Sequence, residues 1–359
     1  MTPEFWAGKR VLITGHTGFK GSWLSLWLQA LGARVTGFSL DFPSDPCLFD
    51  LASVATGISD IQGDVRDFPG LQACMQESCC EVVIHMAAQS LVRRSYRDPL
   101  ETYSTNVMGT ANVLEAARKT DTVRVIIIVT SDKCYENREQ DAGYRETDPM
   151  GGFDPYSSSK GCAELVTAAW RNSYFNPADY PMHGVAVASA RAGNVIGGGD
   201  WAEDRIIPDI MYAFHEARPV QLRNPAAVRP WQFVMEPLNG YLTLAERMWS
   251  DGSAFSEAWN FGPADSGLRS VSWLADALAT RWGDDARWTA DAADHPHEAT
   301  LLRLDCSHAH QQLQWSPVQE IGATLDWVVE WYQAYFNGSD IRAVTLDQIR
   351  RFQEIVIHG

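Results

Sequence analysis

The chain has 359 residues, 45% of them apolar, enough to bury a large core as one domain with an elaboration. Its formal net charge of −16 repels polyanions and so excludes nucleic acid and anionic membrane as partners, while leaving room for a small phosphorylated substrate held by local arginines. Seven cysteines without paired spacing fit a reducing compartment, Met1 to Arg10 carries no leader pattern, and no apolar run reaches the roughly 18 residues of a membrane span, so the chain reads as soluble and cytoplasmic.

In chain order, residues 10–14 predict a first strand, and a glycine turn leads from it into a helix through about Leu31. Residues 34–39, 58–62 and 82–85 predict the second, third and fourth strands. Leu100, Tyr103, Val107, Ala111, Leu114 and Ala117 recur at three-and-four spacing, the mark of a helix with an apolar face. Residues 123–130 are long, β-branched and without alternation, so they predict a strand buried on both faces, and residues 184–190 supply a sixth. Strands alternating with helices imply an α/β fold, a doubly wound parallel sheet of Rossmann type. After about Arg191 the texture changes: Gly197-Gly198-Gly199-Asp200 and the stretch from Pro225 to Pro230 mark loops. A late helix over 321–336 carries the stripe Leu325, Val328, Val329, Tyr332 and Phe336. The expected division is a nucleotide-binding domain at 1–190, to which segments near 232–262 return, and a smaller, mainly substrate-binding domain at 191–359.

Thr14-Gly15-His16-Thr17-Gly18-Phe19-Lys20-Gly21 follows a strand and opens a helix, so its backbone N–H groups can meet a pyrophosphate. An acid at the end of the second strand should take the adenosine ribose; here Asp41 stands late for that, and Ser39 is the other candidate. Asp64-Val65 closes the third strand, placed either to meet the adenine edge or to cap the next turn. Tyr156 and Lys160, four apart, share one helix face; beside a dinucleotide they can take a hydroxyl proton while hydride leaves the same carbon. Ser131-Asp132-Lys133 at the end of the fifth strand adds a second acid/base pair. Oxidation needs one proton acceptor; oxidation followed by elimination needs more.

Together these residues resemble the extended short-chain dehydrogenase/reductase superfamily. The resemblance includes Gly15-x-x-Gly18-x-x-Gly21, Asp64-Val65, His85-Met86-Ala87-Ala88-Gln89, Asn106-Val107-Met108-Gly109-Thr110 and Tyr156-x-x-x-Lys160. It implies an NAD cofactor, held by Gly15, Thr17, Gly18, Phe19, Gly21, Asp41, Asp64, Val65, Ala87, Ala88, Gln89, Asn106, Thr130, Tyr156 and Lys160. It also implies that Tyr156 is the base toward a sugar 4-hydroxyl while Lys160 lowers its pKa and binds the nicotinamide ribose; nearby positive charge favours phenolate. Within the superfamily, nucleotide-sugar 4,6-dehydratases carry a Thr/Ser-Asp-acid/base triplet where Ser131-Asp132-Lys133 stands. The dTDP-glucose enzymes have Glu in place of Lys133. The run Ser131 to Tyr135, with Asp154-Pro155-Tyr156, Lys160 to Glu164, Arg191 to Trp201 and Arg229-Pro230-Trp231, is similar to the CDP-glucose 4,6-dehydratases.

That resemblance implies dehydration of CDP-D-glucose to CDP-4-dehydro-6-deoxy-D-glucose by oxidation at C4, loss of water across C5/C6 and hydride return to C6. Lys133 would take the C5 proton and Asp132 protonate the leaving hydroxyl, which requires a neutral amine and a protonated carboxyl; an Asp132–Lys133 ion pair would put both in the wrong state. Asn194, Arg205, Arg229 and His297 are the expected substrate contacts, the arginines suiting a diphosphate bidentately, with Arg223 either a further contact or a solvated charge. The other readings are a different sugar-nucleotide 4,6-dehydratase, a 4-epimerase, which has no use for Asp132 and Lys133, or a non-catalytic dinucleotide sensor, which would dispense with Tyr156 and Lys160. His295-Pro296-His297 and His308-Ala309-His310 lack the accompanying carboxylates or cysteines of a metal site, so no metal is expected, and Cys79-Cys80 read as buried packing. Helices over 100–117 and 156–174 resemble those that pair between subunits in the superfamily, implying a homodimer or homotetramer, unless their apolar faces only cover the sheet. The pathway implied is supply of 3,6-dideoxyhexoses for bacterial lipopolysaccharide O-antigen.

Overall fold

A parallel sheet organises the molecule, seen here in a computed structural model that describes residues 1–283, 286–291 and 302–358. Strand β1 (Arg10–Thr14) runs into helix α1 (Phe19–Ala30), followed by β2 (Arg34–Ser39), β3 (Ser59–Gln62), α2 (Phe68–Glu77) and β4 (Val82–His85). A helical stretch then begins at Pro99–Tyr103, widens into a π turn at Ser104–Met108 and continues as α3 (Gly109–Arg118). Next come β5 (Val125–Val129), α4 (Pro155–Ser173), β6 (Ala186–Ala192), α5 (Ile206–His215), α6 (Met235–Asp251), β7 (Ala258–Phe261), α7 (Ile321–Phe336) and α8 (Ile341–His358).

The sheet order is β7-β6-β5-β4-β1-β2-β3, every neighbour parallel. Chain direction along the sheet reverses between β1 and β4, so the loops after those two strands open a crevice, the place where such sheets bind ligands. β5 is Val-Ile-Ile-Ile-Val with every residue buried, as its unalternating sequence predicts. β3, Ser-Asp-Ile-Gln, forms one edge, where polar side chains discourage pairing with another sheet.

Three elements add detail that the sequence expectation lacks. The helix over 100–117 is broken by the π turn, a feature that side-chain spacing does not register and that often marks a functional site. β7 is only Ala-Trp-Asn-Phe, yet it pairs with β6 from Ala258 opposite Ser189 to Phe261 opposite Ala192 and extends the sheet. α8 returns to the back of α1: Phe352 meets Trp27 edge-on at 5.9 Å, and the Arg342 guanidinium donates to the carbonyls of Ala52 and Ser53 at 2.9 and 2.8 Å. This explains why α1 is apolar nearly all round, with Trp23 and Trp27 both fully buried between sheet and covering helices. Truncating such a Trp to Ala costs about 3–5 kcal/mol. Of the adjacent cysteines, Cys80 is buried as expected, but Cys79 is exposed, its positive φ of 48° turning it outward ahead of β4. His308 stacks on Trp259 at 4.3 Å and reaches Glu257 at 3.0 Å.

Candidate active site

The crevice starts with the loop after β1. Gly15 adopts φ +77°, and a Cβ there would lie 2.6 Å from the Ala87 nitrogen, so glycine lets this loop sit against the loop after β4. Gly21 is packed equally tightly, since its Cβ would meet the Gly15 carbonyl oxygen at 2.1 Å. Between them Gly18 opens α1 in extended conformation with no side chain capping the first turn, leaving the helix N-terminal amides directed at the crevice. The Thr17 and Ser39 hydroxyls pair at 2.8 Å and tie this loop to the end of β2. The cradle fits a dinucleotide pyrophosphate, a fit that rests on shape and donors alone.

Around that cradle the expected cofactor residues sort into contacts and props. Ser39 ends β2, whereas Asp41 lies beyond it, exposed, its carboxylate accepting from the Phe42 amide at 2.8 Å. Asp64 accepts from its neighbour Arg66 at both carboxylate oxygens and from the Arg66 amide, and the guanidinium holds its pKa below the usual range. It therefore caps the turn after β3, while buried Val65 packs against Gly109. Ala87 and Ala88 lie in the loop after β4, whose Gln89 amide donates to Asn106 Oδ1 at 2.9 Å. Asn106 Nδ2 answers to the Gln89 carbonyl at 3.0 Å and to Ser159 Oγ at 2.8 Å, so the π turn clamps that loop to α4. His85 sits below, between Thr14 and Thr110; burial drives its pKa down to about 3, so it stays neutral and structural. Thr130, expected at the cofactor, commits its hydroxyl instead to Glu164.

The two acid/base pairs come together at the C-terminal ends of β5 and the N-terminal half of α4. Asp154 caps α4, accepting from the Ser157 amide at 2.9 Å, which fixes where Tyr156 and Lys160 emerge. Both are buried, and Lys160 Nζ donates to the Val129 carbonyl at 3.3 Å. Burial draws the Lys160 ammonium down to about 8, opposed first by the charge of Glu164. Burial pushes the Tyr156 phenol up to about 12, opposed by hydrogen bonding with Ser131 and the charge of Arg205.

After β5 the chain makes a single 3₁₀ turn, Asp132–Cys134, capped by Ser131, whose Oγ accepts from the Lys133 amide at 3.2 Å and donates to Asp132 Oδ1 at 2.9 Å. Asp132 is 3% exposed, and its Oδ2 has no hydrogen-bond partner. Burial raises its pKa above the usual carboxylate range, opposed first by the nearby Lys133 charge. Among the described residues no ion pair closes between Asp132 and Lys133. A Cβ on Gly193 would come within 2.7 Å of Asp132 Oδ2; glycine keeps that oxygen clear.

Arg205 precedes α5 and is near enough to Tyr156, Asp200 and Lys20 to shift each of them. Arg229, on the short strand Val228–Pro230, lies near Asp132. Asn194 follows β6, its carbonyl accepting from the Gln232 amide at 3.1 Å. Arg223 is bound to Asp204, in line with a surface charge. His297 lies outside the described residues. Sequence reasoning missed Lys20, whose amine is buried, 5.8 Å from the Tyr241 ring, and drawn down to about 7 by burial and by Lys160. It stands inside the glycine motif, where attention to the glycines hid it.

Residues 12–326 match the family described as GDP-mannose 4,6 dehydratase. A CDP-glucose 4,6-dehydratase from Salmonella typhimurium is 54% identical over 338 residues, spanning 94% of each chain. A dTDP-glucose 4,6-dehydratase from Mycolicibacterium smegmatis is 28% identical over 334 residues, covering 90% of this chain and 93% of that one. The solved structure of dTDP-glucose 4,6-dehydratase from Bacillus anthracis in complex with NAD superposes with a TM-score of 0.75 at 20% identity, covering 92% of this chain and 99% of that one, and so shares the fold. With its glycine cradle, its buried Tyr–Lys couple and its triplet after the fifth strand, the chain belongs to the GDP-mannose 4,6-dehydratase family within the extended short-chain dehydrogenase/reductase superfamily.

Proposed function

We propose that the protein is a hydro-lyase that converts CDP-D-glucose to CDP-4-dehydro-6-deoxy-D-glucose and water. The observation that carries this is a buried Asp132 with an unpartnered oxygen and a raised pKa, one strand end away from the Tyr156–Lys160 couple. NAD, held by the glycine loop and the Ala87–Gln89 loop, would supply a hydride acceptor for C4 that later serves as hydride donor to C6, and a positive charge beside Tyr156. Tyr156 takes the proton of the 4-hydroxyl, with Ser131 hydrogen-bonding the same oxygen and Lys160 stabilising phenolate. The ketone acidifies C5–H; Lys133, in the neutral form this step requires, accepts that proton as the C5–C6 double bond forms, and protonated Asp132 gives its proton to the departing C6 hydroxyl to release water. A proton returned to C5 completes the balance, with no net redox change. A 4-epimerase would have no need of Asp132 and Lys133.

Gly15, Thr17, Gly18, Phe19, Gly21 and the loop Ala87–Gln89 would hold the cofactor, with Ser39 better placed than Asp41 for the ribose. Arg205 and Arg229 would hold the substrate diphosphate, as their guanidinium forks suit it. The division we favour puts the sheet and its flanking helices, including 232–262, on the cofactor and the remainder on the sugar nucleotide. The cytoplasm is the compartment proposed: all seven cysteines are free thiols, and no described helix is long and apolar enough to cross a membrane. A homodimer or homotetramer is supported by Leu100, Met108, Phe153 and Leu165, large apolar side chains left exposed around the helical stretch 99–108 and α4. The product would enter the making of deoxyhexoses for O-antigen.

The test is incubation with CDP-glucose and catalytic NAD in heavy water, read by mass spectrometry. The proposal expects loss of one water and solvent deuterium at C5, with UDP- and dTDP-glucose turned over more slowly. An unchanged mass accompanied by an isomer of the substrate would replace it with epimerisation.

A further inference from the structure

Beneath the two acid/base pairs lies a buried network that neither pair uses directly. Arg191 on β6 and Glu164 on α4 form an ion pair of 2.7 Å, each side chain 4% exposed. Glu164 stands one helical turn after Lys160, on the same face of α4. Its two oxygens also accept from the hydroxyls of Thr130 and Ser189, so it grips the last residue before Ser131 and the neighbouring strand together. Arg191 turns the other way. Its Nη1 donates to the Tyr135 hydroxyl at 2.6 Å and to the Glu146 carbonyl at 3.1 Å. Tyr135 directly follows the 3₁₀ turn that carries Asp132 and Lys133, and its hydroxyl donates to Asn260 Oδ1 on β7 at 2.7 Å. The ring of Tyr135 stacks on Tyr144 at 5.3 Å.

A hydrophobic filler would serve a core equally well, and a buried ion pair is weak evidence of stability in itself. Here the bonds run to both ends of the Asp132–Lys133 turn, through Thr130 and Tyr135, and the carboxylate that anchors them stands one helical turn from Lys160. We infer that Glu164, Arg191 and Tyr135 form a positioning frame that holds the oxidation couple and the elimination pair in one fixed geometry. The inference rests on the dehydratase reading and names residues that touch neither substrate nor cofactor. One charge sets the frame's electrical side: Glu164 stabilises the Lys160 ammonium, which is also faced by Cys134 from the turn, His85 from β4 and Lys20 from α1.

Two variants separate this role from mere packing. Tyr135→Phe removes one hydroxyl and loosens only the elimination end. In single turnovers with CDP-glucose, reduced nicotinamide should form at the wild-type rate and then persist, because water loss slows about tenfold, the scale of a small misplacement. Glu164→Gln removes the charge behind Lys160, so the alkaline limb of nicotinamide reduction should move to lower pH. Equal slowing of both steps in Tyr135→Phe, or no slowing of either, would overturn the frame, as would an unmoved alkaline limb in folded Glu164→Gln. Wild-type protein run alongside tests the dehydratase reading by itself, so failure of the frame and failure of the reaction are read in different samples.

Discussion

Tyr156 and Lys160 ride on a helix of 19 residues whose start is capped and whose flank is clamped by Asn106. Asp132 and Lys133 ride on a turn of three residues whose local fastening is one serine hydroxyl. Long-element rigidity suits the first pair, which must keep register with a cofactor through both the outward and the return hydride transfer. The short turn suits the second: it buries a carboxyl deep enough to raise its pKa without requiring a strand or helix to bend around a buried acid. Geometry in one region is thus secured by secondary structure, and in the other by side chains reaching in from elsewhere.

Breaking the first region should cost most. Tyr156→Phe is expected to lower turnover about 10²–10⁴-fold and to silence both steps, measured as absorbance of reduced nicotinamide and as product mass. Water loss surviving in that variant would end the division of labour between the two pairs. Asp132→Asn should lose about 10²–10³ in dehydration while nicotinamide reduction persists, a split that stopped-flow absorbance resolves. Gly193→Ala sharpens the same contrast more gently: its Cβ would sit 2.7 Å from Asp132 Oδ2, so dehydration should fall about tenfold with oxidation unaffected. pH should then separate the regions without mutation. The Lys160 amine, drawn down to about 8, is charged below that pH and neutral above it, so oxidation should weaken as pH rises through 8. Asp132 is needed protonated and its pKa is raised, so dehydration should decline as pH rises through that raised pKa, with a midpoint of its own in single-turnover traces. The smallest effect belongs to Arg223→Ala. Its guanidinium is already bound to Asp204 and partly solvated, and KM for CDP-glucose should move less than about threefold.

Legibility in the sequence followed the same contrast. β1, β2 and β4 lie where hydrophobic runs place them, and Tyr156 with Lys160 shares a face because a helical period of four is readable from the chain alone. The π turn at Ser104–Met108 was hidden, because inserting one residue per turn leaves side-chain spacing nearly unchanged. β7 was hidden for another reason: four residues containing Trp and Asn carry too little periodicity, and only pairing with β6 makes them a strand. The unpartnered oxygen of Asp132 was unreadable, since it depends on Gly193 and Ser131 meeting it in space. Lys20 needed the same spatial knowledge, its burial coming from α6 through Tyr241.

β7 completes the central sheet and α8 covers α1 only from late in the chain, which matters on the ribosome. Trp27 waits for Phe352, and the outer edge of β6 waits for Ala258–Phe261, so the nascent first half emerges with an uncovered aromatic face and an open strand edge. Both are surfaces on which partly made chains stick to one another. Pulse proteolysis of stalled nascent chains should therefore find the sheet protected only after Ala258–Phe261, and then Phe352, have emerged.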